Sequence, residues 1–113
     1  MKLLYLDVSG SFVQSRENHD AIEALKSSMP DAQVFDFGTE VQPHPSRIGG
    51  AGTDFGCLRR HADNLGATEI HVVTDGYICV EYAGDPNRWT WHITPGGVKN
   101  HLPGKVVDLG AKS

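Results

Sequence analysis

The sequence predicts an α/β protein with a mostly parallel central sheet, one short antiparallel strand and helices on both faces. Three observations carry this. Apolar runs at Lys2–Asp7 and Glu69–Thr74 read as strands covered on both faces. The apolar spacing shifts to a helical period over Ser15–Met29 and again after Thr53. The two kinds of segment alternate along the chain, which is the order of a parallel sheet joined by crossover helices.

The elements follow in order. Lys2–Asp7 is the first strand. In the first helix, Ala21, Ile22, Leu25 and Met29 share a face, Ser15 can cap the start and Pro30 ends it. Gln33–Phe37 is the next strand, and Gly38-Thr39 turns tightly into a short antiparallel partner, Glu40–Gln42. Pro43–Gly52 is a loop. The second helix places Phe55, Leu58, Ala62 and Leu65 at helical spacing, with Thr53 or Asp54 as its cap and Gly66 at its end. Glu69–Thr74 ends at the turn Asp75-Gly76. Arg88–Thr94 alternates strictly, with Trp89, Trp91 and Ile93 on one side, as in a near-edge strand with one covered face. Lys105–Leu109 is a final short strand.

A length of 113 residues suits one domain with a modest core, spanning 1–113. The net charge of −4 argues against a nucleic-acid surface, since phosphate binding needs clustered Lys and Arg. Arg59-Arg60 is the only adjacent basic pair and reads as a solvated helix face. Cys57 and Cys79 lie in no CxxC and read as reduced thiols of a cytoplasmic protein. No apolar stretch approaches the roughly 20 residues of a membrane span. Met1 abutting the first strand leaves no room for a signal peptide and reads as the start of a complete chain.

The chemistry concentrates at strand ends. Asp7-Val8-Ser9-Gly10-Ser11 follows a buried strand, and alternate side chains of an extended segment point the same way, so Asp7, Ser9 and Ser11 can converge. Gly52-Thr53-Asp54 and Thr74-Asp75-Gly76 supply further oxygens. Ligands bind beyond the carboxyl ends of parallel strands where the strand order reverses, and Asp7 and Asp75 both end strands. Two carboxylates and three hydroxyls suit a hard cation, with ligands at about 2.0–2.1 Å for Mg²⁺. The neutral hydroxyls leave metal charge unneutralised and a position open for a partner's carboxylate.

This pattern resembles the von Willebrand factor type A domain, whose metal-ion-dependent adhesion site reads Asp-x-Ser-x-Ser, then Thr, then Asp. The matching positions are Asp7, Ser9, Ser11, Thr53 and Asp75. The segments Gly-Ala-Gly-Thr-Asp-Phe and Thr-Asp-Gly-Tyr are similar to those of compact bacterial von Willebrand A-like domains. The resemblance runs from Leu3 to about Leu109 and implies a minimal, Rossmann-like version of that fold. It further implies Mg²⁺ or Mn²⁺ at the five residues, with Ca²⁺ the third candidate. The implied role is a non-enzymatic adaptor, whose partner class is an AAA+ ATPase or its substrate.

Plainer readings stand beside this one. Thr53 alone reads as a helix cap, and Asp75-Gly76 alone as an ordinary turn. The six histidines show no paired ligand spacing; His71 reads as a satisfied core or second-face residue, and His44 as a loop residue. Trp89 and Trp91 read as core. Tyr77–Asn87 reads as either a recognition surface or an exposed loop. Two alternative functions remain. One is a metal-dependent hydrolase or phosphotransferase, disfavoured because haloacid-dehalogenase-type phosphatases carry a second Asp where this chain has Ser9. The other is binding of partners through loops without metal.

Overall fold

The computed structural model describes residues 2–7, 16–38, 40–43, 54–75, 86–94 and 102–108. They form one six-stranded sheet and two α-helices: β1 (Lys2–Asp7), α1 (Arg16–Ser28), β2 (Gln33–Phe37), β3 (Val41–Pro43), α2 (Phe55–Leu65), β4 (Glu69–Thr74), β5 (Trp89–Ile93) and β6 (Lys105–Asp108). The strand order is β3-β2-β1-β4-β5-β6. All neighbours are parallel except β2 and β3, which pair antiparallel as the sequence predicts, one residue later than expected.

The order reverses at β1. The chain runs outward from β1 through α1 to β2, then returns through α2 to β4 on the other side. Crossovers of one hand taken in opposite directions put their helices on opposite faces. The contacts agree. Ile22 and Leu25 of α1, with Met29 just beyond it, pack with Leu4, Leu6 and Val73. On the other face Phe55, Leu58 and Ala62 of α2 pack against Leu3, Tyr5, Ile70, Val72, Trp89 and Trp91.

The α2 face is the aromatic one. Trp89 and Trp91 stack with ring centroids 5.6 Å apart, and Phe55 lies 5.0 Å from Trp89. The Trp91 indole Nε1–H donates to the Pro103 carbonyl at 2.7 Å, so its polar edge is satisfied inside the core.

Both ends of α2 obey local chemistry. Asp54 is the N-cap, its carboxylate accepting from the Gly56 N–H at 2.9 Å. Gly66 closes the helix at φ +68°, a left-handed conformation that favours glycine. Three expectations need correction. Leu65 is 36% exposed rather than core, because it falls in the last turn of α2, beyond the packed stripe. Arg88 belongs to a 3-10 turn (Pro86–Arg88), so β5 begins at Trp89. β5 lies next to the edge strand β6, as expected, but has two covered faces rather than one: His92 and Thr94, on the side opposite the tryptophans, are buried too.

Candidate functional site

The carboxyl edge of the sheet carries two of the acids on neighbouring strand ends. β1 and β4 run parallel with Leu6 beside Val73, so Asp7 falls beside Thr74 and Asp75 comes one residue later. Asp7 is fully buried, and the Thr74 hydroxyl donates to its Oδ2 at 2.8 Å. A buried carboxylate is costly unless hydrogen-bonded or neutralised, and this bond fixes its direction. Asp75 is half-buried at the end of β4. The two strands meet where the strand order reverses, the usual position of a ligand crevice in such sheets.

The start of α2 is tied to the same edge. The Asp54 N–H donates to the Gly38 carbonyl at 2.8 Å, and Gly38 directly follows β2, the neighbour of β1. Asp54, not Thr53, caps the helix, which removes the plainer role open to Thr53. Ser9, Ser11 and Thr53 themselves lie outside the described residues, as do Ser15, His44, Cys79 and residues 77–85. Among the described residues, no group of three or more His, Cys, Asp or Glu side chains is placed to hold a metal. Two of the five expected donors, Asp7 and Asp75, are thus brought to adjacent strand ends.

Cys57 is a free, half-buried thiol that donates to the Asp54 carbonyl at 3.0 Å, and burial pushes its pKa up. Neither property suits a nucleophile.

Sequence reasoning missed two features. Asp36 breaks the apolar run of β2 and is buried on the α1 face. His71 and His92 are hydrogen-bonded to each other across β4 and β5. The first could have been found from its place inside an apolar strand. The second needs the β4–β5 register, which no local spacing carries.

No protein-family model, no curated protein and no solved structure matches this chain. Among the described residues, no helix is long and apolar enough to cross a membrane.

Proposed function

We propose that this chain is a non-enzymatic protein-interaction module that holds Mg²⁺ or Mn²⁺ at the carboxyl edge of its sheet and engages an acidic side chain of a protein partner. The observation that carries the reading is the β1–β4 register, which sets Asp7 and Asp75 on adjacent strand ends where the strand order reverses. Two carboxylates at one strand edge are donors of the kind a hard divalent cation takes. Asp7, Ser9, Ser11, Thr53 and Asp75 would hold the ion. Ser9 and Ser11 follow Asp7 by two and four residues in the sequence, and Thr53 immediately precedes Asp54, whose N–H donates to the Gly38 carbonyl; these positions support counting the three hydroxyls in the site. When bound, the ion would supply a Lewis-acidic position for a partner carboxylate.

The same reading takes the sheet as Rossmann-like in a minimal von Willebrand A form. The order β3-β2-β1-β4-β5-β6 with an antiparallel β3 supports it.

The test is calorimetric titration of the chelator-stripped protein with Mg²⁺ and with Mn²⁺. One saturable site is expected, lost in Asp75→Ala and Ser9→Ala. Asp75 is half-buried and ends a strand, so its replacement leaves the core intact. Absence of binding at millimolar metal overturns the reading and leaves partner binding through loops.

A further inference from the structure

On the α1 face of the sheet, alternation brings Glu69, His71 and Val73 of β4 beside Thr90 and His92 of β5. The register pairs His71 with Thr90 and Val73 with His92, so the two imidazoles are diagonal neighbours. Their rings stack with centroids 5.2 Å apart, and His71 Nδ1 lies 2.9 Å from His92 Nε2. On its other side, His71 Nε2 donates to the Glu69 carboxylate. Glu69 is exposed to water, whereas His92 is 6% exposed and its Nδ1 has no hydrogen-bond partner among the described residues. A chain of three titratable groups therefore leads from solvent into the sheet.

Proton counting restricts its states. A carboxylate only accepts, so His71 Nε2 carries a proton. The His71–His92 bond then holds a single proton, on either Nδ1 or Nε2. With one imidazole cationic, the neutral ring still accepts through its facing nitrogen; only when both are cationic do two N–H donors and two positive charges face each other at 2.9 Å. We propose that Glu69, His71 and His92 form an acid-sensitive latch across the β4–β5 seam, closed while no more than one imidazole is cationic and opened when both are.

The direction follows from the surroundings. Burial first, then the charge of His71 and of Lys105 on β6, hold the His92 pKa down to about 4. The hydrogen bond from His71 holds the Glu69 carboxyl below its usual range, so the acid stays charged while His92 titrates. Lys2 of β1 sits 3.6 Å from Glu69 and 3.5 Å from Asp31. On α1, Asp20 and Glu23 are exposed, and Lys26 pairs with Glu23 at 3.3 Å. A freed imidazole titrates near about 6.5. The open form thus binds more protons between that value and about 4, and the latch opens as pH falls through this window. Each pH unit shifts the balance by up to about tenfold.

The test is imidazole ¹⁵N NMR of the intact protein through the acid range. It is paired with urea midpoints at about pH 7.5 and about pH 5 for wild type and His92→Phe. The expected result is coupled His71 and His92 shifts, with His92 staying neutral well below the ordinary histidine value. The wild-type midpoint falls on acidification, and it falls less in His92→Phe, in which His61 still titrates. A His92 that titrates like a free imidazole, or an equal acid loss in both proteins, overturns the latch. The wild-type NMR decides the matter if His92→Phe does not fold.

Discussion

The two faces of the sheet are made from the same strands and differ in kind. Among the described residues, the α2 face gathers twelve buried core residues, the α1 face four. β5 carries the contrast within five residues: Trp89, Trp91 and Ile93 point one way, Thr90 and His92 the other. Apolar burial contributes roughly in proportion to area, so among the described residues the larger share of apolar stabilisation lies under α2. The α1 face accommodates the buried His92 and Asp36, while Asp7, in line with Leu3 and Tyr5, is buried at the carboxyl end of the α2 side.

The largest effect that would sharpen this contrast comes from Trp91→Ala. The ring is fully buried, contacts Phe55 and Trp89, and donates to Pro103. Its loss should cost about 3–5 kcal/mol, from lost transfer energy and the cavity left behind. Leu25→Ala, on a half-buried residue of α1, should cost about 1–2 kcal/mol. Urea denaturation measures both. Equal costs would mean that the thin face contributes as much as the aromatic one.

How far the sequence disclosed this arrangement depends on the range of each interaction. Helix α1 is read to within a residue at each end, because Pro30 and the apolar period act locally. Asp54 and Gly66 were legible as ends of α2 for the same reason. Asp7 and Asp75 could be brought together on paper, since both end runs that read as buried strands. The Thr74 hydroxyl that orients Asp7 is 67 positions away and follows only from the β1–β4 register. The same holds for His71 and His92, and for the Trp91–Pro103 bond. Leu65 was misjudged because helical spacing marks a direction but not where the packing partner ends.

A smaller effect tests how the aromatic face is roofed. Gly104 has φ +89°, and a Cβ there would press against the Pro86 carbonyl oxygen and lie 2.6 Å from the Trp89 carbonyl oxygen. Gly104→Ala should therefore cost about 2–3 kcal/mol, combining left-handed strain with displacement of the turn before β5. Gly66→Ala meets nothing within 4 Å and carries only the conformational penalty, about 1 kcal/mol. Thermal unfolding of the two variants should rank them in that order. A reversed rank would mean that the approach of Gly104 to Trp89 is dispensable.

The smallest effect concerns a titratable pair inside the aromatic face. The Tyr5 hydroxyl and His61 Nδ1 are hydrogen-bonded at 2.8 Å, with the rings edge to face. Burial holds the phenol far above its ordinary pKa, so it stays neutral throughout the physiological range. Burial also lowers the pKa of His61, so protonation of that ring on acidification favours the unfolded chain. Tyr5→Phe keeps the ring packing and removes only the hydroxyl. His61 is half-exposed and can turn to water instead, so the loss should be about 0.5–1.5 kcal/mol in urea denaturation near neutral pH. A cost well above that range would mean that the α2 face depends on this polar pair as well as on its apolar packing.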